Sequence, residues 1–471
     1  MEIRSMHFVS RVRQRLDDTE LQRNLQRTRG RNAAARLASL SSLDDFEAVR
    51  ARATDIRASV LRDLDVWLER FEAEATRRGA TVLWARDGDE ACRLVIEIAR
   101  RHDVKTVVKA KSMVSEEAGL NAALEAAGIR PVETDLGEYI LQINDNEPPS
   151  HIIMPVIHKS KEQVSELFAR VHGTAAKTDI VELTREAREK LRPEFLGAEM
   201  GISGGNFLIA ETGSVAIVTN EGNGRMCTTM PRVHVALTGI EKVIPTLDDL
   251  ATLLRILPRS ATGQAISNYV SLLTGPKHDG DADGPEHMYF VLVNSGRADL
   301  IGGDFEAMLR CIRCGACMNH CPVYQTIGGH SYGWVYPGPM GSVLTPLYQG
   351  LEKAKDLPQA ATLCNQCGVV CPVSIPLPDL MRKLREKQVD AGLRPWSERL
   401  SMRLWAWVAQ RPKLYARGVR LAVRYLRWLA DGRDRIQAMG VAPGWTAERD
   451  FPAPAAQSFR EQYAARQRGA G

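Results

Sequence analysis

The chain has 471 residues, 44% of them hydrophobic and 25% charged, an ordinary globular composition that excludes global disorder and a small disulfide-stapled scaffold. Its net charge of +5, from 62 basic and 57 acidic residues, is too balanced to argue for a nucleic-acid partner. No apolar run approaches the roughly eighteen residues of a membrane span, and the opening MEIRSMHFVSRVRQRL carries charges where a secretory signal is apolar, so a cytoplasmic location is expected.

Residues 1–64 read as a charged, helical N-terminal region. Val60, Leu61, Leu64, Trp67, Leu68 and Phe71 recur at helical spacing and predict an amphipathic helix over 59–78. Residues 65–303 then alternate. Strands are expected at Thr81–Ala85, Lys105–Ala110 and Pro131–Glu133, with helices at Asp89–Arg101 and Ser115–Ala127. This order predicts an α/β domain with a parallel or mixed sheet covered by helices. A strand is expected at His151–Val156, and helices at Lys161–Val171 and Asp179–Leu191. Strands follow at Phe207–Ala210, Ser214–Thr219, Val233–Leu237 and Met288–Val293, parted by turns at Gly201–Gly205, Glu221–Gly224 and Gly280–Gly284. The glycines of GISGG (201–205) match a dinucleotide fingerprint poorly.

From 304 to 388 Cys, Gly and Pro dominate, with a helix expected at Leu377–Gln388. Residues 389–471 form a basic tail, helical at first and frayed from about Ala442. From Pro395 onward it carries 14 Lys and Arg against 6 acids, and five of the eight Trp. Arg403, Arg411, Lys413, Arg417, Arg420, Arg424 and Arg427 fall between 401 and 427 with no acid. Such a helix fits peripheral contact with an anionic membrane surface, or packing on its own domain or a partner with the basic face in solvent.

Seven of the nine cysteines form two runs, which points to metal or redox chemistry in an intracellular protein. Residues 311–322, CIRCGACMNHCP, have the C-x2-C-x2-C-x3-C-P spacing of bacterial ferredoxins, in which three thiolates wrap one cluster and the fourth goes to another. Residues 364–372, CNQCGVVCP, keep the Cys-Pro ending and lack one thiolate. Cross-ligation assigns Cys311, Cys314, Cys317 and Cys371 to cluster one, and Cys321, Cys364 and Cys367 to cluster two. Two four-iron clusters are expected, the second with a non-cysteine ligand or a water, or with only three irons. Seven thiolates fit tetrahedral zinc poorly. Cys92 and Cys227 read as buried structural residues. His320, beside Cys321, could tune a potential or be an exposed side chain with no such role. His330 and Tyr332 could line the clusters or hold their loop.

With CIRCGACMNHCPVYQTIGGHSYG and CNQCGVVCPVSIP go VVKAKSMVSEEAGLN (107–121), ETDLGEYILQ (133–142), PSHIIMPVIHKSK (149–161) and GNFLIAETGSVAIVTNEGNGRM (205–226). Together they resemble the lactate utilisation protein B family, the iron–sulfur subunit of a bacterial L-lactate-oxidising system. The resemblance covers roughly residues 10–400. It implies that 65–303 is a lactate-utilisation domain similar to ribose-5-phosphate isomerase and coenzyme A transferases, and that 304–388 is a small helical two-cluster ferredoxin domain. It also implies a relay of electrons as L-lactate becomes pyruvate, without catalysis by this chain itself. Two partners are implied: a second iron–sulfur subunit with Cys-rich repeats and a small subunit made of the lactate-utilisation domain.

Two rival readings stand beside it. The cluster region alone would also suit an electron-transfer subunit for another 2-hydroxy acid or for glycerol-3-phosphate oxidation. Alternatively the α/β domain is catalytic. Coenzyme A transferases use a carboxylate nucleophile, which makes Glu211 the first candidate and Glu221 the second. Lys109, Lys111, Ser112 and Asp135 could then shape an anion pocket.

Overall fold

Charged helical sequence leads the chain, and it folds as α1 (Phe8–Asp17), α2 (Thr19–Thr28), α3 (Arg31–Leu40), α4 (Phe46–Arg62) and α5 (Leu64–Arg77). The computed structural model describes residues 3–447 and 449–469. They form two compact units that meet in sequence between Gln388 and Val389. The helix expected over 59–78 is two helices, broken at Asp63, whose φ of −122° is not helical.

The alternating stretch runs β1 (Thr81–Ala85), α6 (Gly88–Arg101), β2 (Thr106–Lys109), α7 (Met113–Ala118), α8 (Leu120–Ala126), β3 (Arg130–Glu133), α9 (Leu136–Ile143), α10 (Lys161–His172), α11 (Ile180–Gly197) and β4 (Met200–Ser203). Gly119, at φ 73°, divides the expected Ser115–Ala127 helix. There follow β5 (Phe207–Ile209), β6 (Ser214–Thr219), α12 (Asn223–Thr229), β7 (Val233–Gly239), β8 (Val243–Ile244), α13 (Leu247–Thr262), β9 (Tyr269–Leu273) and β10 (His287–Val293).

Six of these strands form one sheet in the order β1-β10-β7-β4-β2-β3, parallel at every pairing. A parallel sheet is covered on both faces, so its central strands are apolar throughout. VHVALTG of β7 is buried at all seven positions, and HMYFVLV of β10 at all but its first. From β2 the chain runs out to β3 and then back across to β4, on β2's other edge. Ligand crevices in such sheets form beyond the carboxyl ends of the strands, where the order reverses. A second sheet, β8-β5-β6-β9, is mixed: β5 pairs parallel with β8, and β6 antiparallel with β5 and β9.

His151–Val156 is not a strand. Buried His151 accepts at Nδ1 from the N–H groups of Ile153 and Met154, at 3.0 and 3.1 Å, which curls the segment into a turn and removes those donors from any ladder. In GISGG the glycines serve packing. A Cβ at Gly201 would stand 1.7 Å from the carbonyl oxygen of Cys227, so only glycine lets β4 and α12 approach.

The Cys-rich stretch continues the first unit with α14 (Ala316–Asn319), α15 (Pro322–Ile327), α16 (Gly338–Gln349), α17 (Gln366–Val369) and α18 (Leu377–Asp390). The second unit holds α19 (Trp396–Ala409), α20 (Pro412–Ala430), a small hairpin of β11 (Arg435–Ile436) and β12 (Phe451–Pro452), and α21 (Phe459–Gly469). That last helix lies where fraying was expected. Among the described residues no helix is long and apolar enough to cross a membrane.

Candidate metal centre

The first Cys run leaves a short helical turn at Glu306–Arg310. Arg313 and Gly315 then take φ 58° and 75°, which folds the backbone around Cys314 and starts α14 at Ala316. A side chain at 315 would strain this conformation. Cys317 lies in α14. Cys321 is the N-cap residue of α15, with Pro322 at its first position, where a missing N–H costs nothing. The second run bends at Leu363 and Asn365, at φ 56° and 64°, and enters α17, which carries Cys367.

Arginines of the N-terminal helices clamp the second run through its carbonyls and the segment leading into the first. Arg36 of α3 donates to Val370 O at 3.0 Å, and Arg50 of α4 to Cys371 O at 2.9 Å. Arg57 of α4 is fully buried and donates to Val243 O, to Leu309 O just before Cys311, and to Glu241 O. The charged N-terminal region thereby fixes where the cysteines sit.

The thiols gather in two sets. Burial pushes Cys314 up to about 12, and the thiols of Cys371 and Cys311 push it further the same way. Cys317 is raised well above its ordinary value by burial and by Cys314 and Cys311. Cys367 is pushed up to about 12 by burial, then by Cys321 and Cys364. Cys321 is raised by burial, with Cys364 as its thiol neighbour. Cys321, Cys364 and Cys367 line one cavity. Crowded buried thiols of this kind ionise only beside a compensating cation, and a coordinating metal deprotonates them outright. Backbone amides already aim at the sulfurs: Ile375 N–H donates to Cys371 Sγ at 3.4 Å. The donor set therefore fits sulfur-ligated iron.

The other sequence candidates divide. Cys92 and Cys227 are buried, the latter against Thr134 Oγ1 at 3.3 Å. His320 Nδ1 bonds its own helix at Ala316 O. His330 holds the loop, its Nε2 donating to Pro148 O at 2.7 Å. Beside it His158 Nε2 bonds Glu147 Oε1 at 3.0 Å, and Lys159 Nζ sits 2.6 Å from Glu147 Oε2. These side chains offer three ligand atoms within metal-binding reach, but the lysine already neutralises the carboxylate. Tyr332 is fully buried, and the thiols of Cys321, Cys317 and Cys367 act on its hydroxyl electrostatically.

Glu211 does not reach a site. It is exposed, and its Oε2 accepts from Leu247 N–H at 2.9 Å, at the start of α13. Lys109 is saturated by Glu133 Oε1 at 2.6 Å and Asn121 Oδ1 at 2.5 Å and lies outside the cavity described next. Lys111, Ser112, Asp135 and Glu221 do line it.

That cavity, of about 380 Å³, opens at the carboxyl ends of β2, β4 and β7. Sequence reasoning did not find its other polar walls: Lys242 follows β7, and Arg313 belongs to the first Cys run. Lys242 is buried and donates to Cys311 O at 3.3 Å; burial and the Arg313 charge bring its pKa down to about 7. Glu241 is held down to about 2 by Arg297, Lys242 and Arg313 against its burial. Lys111 Nζ is buried without a hydrogen-bond partner among the described residues, 3.5 Å from Glu138 Oε1. Glu221 is raised by burial and by Asp135.

Residues 68–293 match the family model of the LUD domain, 307–375 that of the 4Fe-4S dicluster domain, and 381–468 that of the lactate utilisation protein B C-terminal region. "Lactate utilization protein B" of Geobacillus kaustophilus is 42% identical over 100% of this chain and 99% of its own length. The protein of the same name from Bacillus licheniformis is 41% identical over 100% and 99%. "Uncharacterized electron transport protein YkgF" of Escherichia coli is 41% identical over 97% and 96%. A crystal structure of a DUF162 family protein from Deinococcus radiodurans aligns with 49% of this chain and 98% of its own at 12% identity, with a TM-score of 0.27, too low to bear on the fold. Identity sustained from end to end, over three models matched in order, places the chain in the lactate utilization protein B family, with a 4Fe-4S dicluster domain that implies two iron–sulfur clusters.

Proposed function

We propose that the chain is the iron–sulfur electron-transfer subunit of a system that oxidises L-lactate to pyruvate. The observation that carries this is the meeting of seven cysteine thiols, from two runs, as two sets inside one dicluster domain. Cys311, Cys314, Cys317 and Cys371 are the ligands of the first cluster, and Cys321, Cys364 and Cys367 those of the second. When bound, the clusters supply one-electron oxidation and reduction with little movement of their ligands. The chain's own residues set the conditions. The arginines of α3 and α4 place positive charge beside the Cys runs, and burial of Cys314 and Cys371 shields the first cluster's ligands from water. Anaerobic purification with iron and sulfide analysis and EPR spectroscopy tests the reading. Seven or eight irons per chain, reduced by the lactate-oxidising partners, are expected; zinc without iron overturns it.

The partners follow from the same reading: a second iron–sulfur subunit with Cys-rich repeats and a small subunit of the lactate-utilisation domain. The α/β domain is read as isomerase and coenzyme A transferase-like, and the chain as cytoplasmic. The exposed Trp396, Trp405, Trp407 and Trp428 of α19 and α20, among basic residues, suit a partner surface or an anionic membrane face.

A role for the α/β domain is favoured by one observation, the Lys111 ammonium, which makes no hydrogen bond among the described residues and has only Glu138 at 3.5 Å, in a cavity whose wall includes the first Cys run. A small organic carboxylate is the ligand it suits. Met113, Ile152, Met154 and Leu237 give the cavity apolar walls, which favour a ligand with carbon over an inorganic anion. Titration with pyruvate and with L-lactate is the test. Lys111→Met should weaken binding about tenfold or more, the worth of one charged hydrogen bond, at unchanged iron content. Equal binding by the variant rejects this role.

A further inference from the structure

The two Cys runs are one motif displaced by fifty positions, and the structure repeats it residue by residue. Arg313 and Leu363 both have positive φ, 58° and 56°. Next come Cys314 and Cys364, then Gly315 and Asn365, at 75° and 64°. Each is the N-cap of a four-residue helix, α14 or α17, and these helices carry Cys317 and Cys367. Cys321 and Cys371 close the two copies, each followed by proline. The sulfurs repeat too. Cys314 and Cys364 each accept from the amide two residues on, of Ala316 and Gln366, and Cys321 and Cys371 each from the amides of residues 323 and 373.

Continued backward, the repeat pairs Cys311 with Ala361. The thiolate lacking in the second run is thus its first, and a methyl group stands in its place. Ala361 lines the same cavity as Cys321, Cys364 and Cys367. Among the residues lining it there is no histidine and no carboxylate. The Thr362 hydroxyl is engaged with Cys364. Residues 362–366 are exposed, Cys364 included, so this side of the cavity faces solvent.

We propose that the second cluster has its open corner at Ala361, and that the iron there has no protein ligand and exchanges with solvent. It leaves as Fe²⁺ to a chelator. A four-iron core in its +2 state then becomes a three-iron core of charge zero with the same electrons on the rest, so no oxidant is needed. The second site is a metal-exchange site, whereas the four thiolates of the first enclose its cluster. The inference rests on the iron–sulfur reading above, and the two fail differently: a chain without iron overturns the reading, and iron that does not exchange overturns only the inference.

The test uses the full chain with clusters reconstituted under argon, passed through EDTA and desalted. The wild-type chain should fall from eight irons to seven and, after ferricyanide oxidation, show a three-iron EPR signal. Ala361→Cys, which restores the repeat, should keep eight irons and lose that signal. Eight irons retained by the wild-type chain overturn the proposal, as does an iron lost equally from Ala361→Cys. Should that variant not assemble, the wild-type iron count decides alone.

Discussion

Tyr332 has a hydroxyl that is fully enclosed and makes no hydrogen bond among the described residues. An unmet buried donor costs on the order of 1–3 kcal/mol, and the thiols that act on it electrostatically, Cys321, Cys317 and Cys367, come from both sets. Sulfur that becomes anionic on metal binding is the acceptor it lacks. Hydrogen bonds to cluster sulfur stabilise the reduced state. Tyr332→Phe, which keeps the ring against Phe8 and Tyr324, should therefore leave the iron content unchanged and move a cluster potential to more negative values in an EPR-monitored redox titration. A potential identical to wild type would remove Tyr332 from this role. Spacing made the cysteines legible because thiolates must converge within bond length of one metal core. The sequence places Tyr332 in the loop between the Cys runs but leaves open whether it lines the clusters or holds that loop, because what decides it is what its oxygen fails to touch. Lys242 and Arg313 were hidden likewise, since their cavity is assembled from strand ends far apart in the chain.

The helix α13 shows how an element can change the reading of a residue. Its apolar positions Leu250, Leu253, Ile256 and Leu257 are buried at helical spacing, yet it was not anticipated; Pro258 interrupts the sequence pattern, though here it lies inside the helix near its end. Without α13, Glu211 reads as a carboxylate in a Gly-rich turn and so as a nucleophile. With it, Glu211 is an acceptor for the first N–H of a helix whose cap, Thr246, bonds Asp249 N–H. Acids at helix N-termini contribute about 0.3–1 kcal/mol. Glu211→Ala should lower stability to chemical denaturation by that amount and leave lactate-dependent reduction of the clusters unchanged. A loss of electron transfer at full cluster content would return Glu211 to the catalytic role. The sheet strands were more legible than α13, because apolar runs such as 233–239 can be buried on both faces only in a sheet. The short β4 was missed because two of its four residues are glycine and serine, chosen for close packing rather than for strand propensity.

At the scale of the whole molecule, the histidines buried in the first unit make its stability depend on pH. Burial is the first cause in each case, bringing His151, His234 and His330 down to about 3 from an ordinary value near 6.5. Above pH 6.5 each is neutral whether the chain is folded or not. Between 6.5 and 3 the unfolded chain takes a proton that the folded chain refuses, so stability falls as pH falls, by about 1.4 kcal/mol per pH unit for each histidine. Glu138, pushed up to about 8 by burial, has the opposite sign: the folded chain holds its proton between about 4.5 and 8, and Glu133 is raised in the same direction. His102 and His320 are lowered in the same sense as these three histidines, and Glu221 is raised with the two carboxyls, so acidification from pH 6.5 to 4.5 sets five histidines that lose stability against three carboxyls that gain it. His234 isolates the effect, because it lies in β7 with Ser203 Oγ, at 2.8 Å, as its hydrogen-bond partner and belongs to neither Cys run. In anaerobic urea unfolding followed across that window, His234→Gln should reduce the slope of stability against pH by about 1.4 kcal/mol per unit, since glutamine takes up no proton on unfolding. A slope equal to wild type would mean that His234 is protonated in the folded chain and that the enclosed β7 environment does not exclude charge.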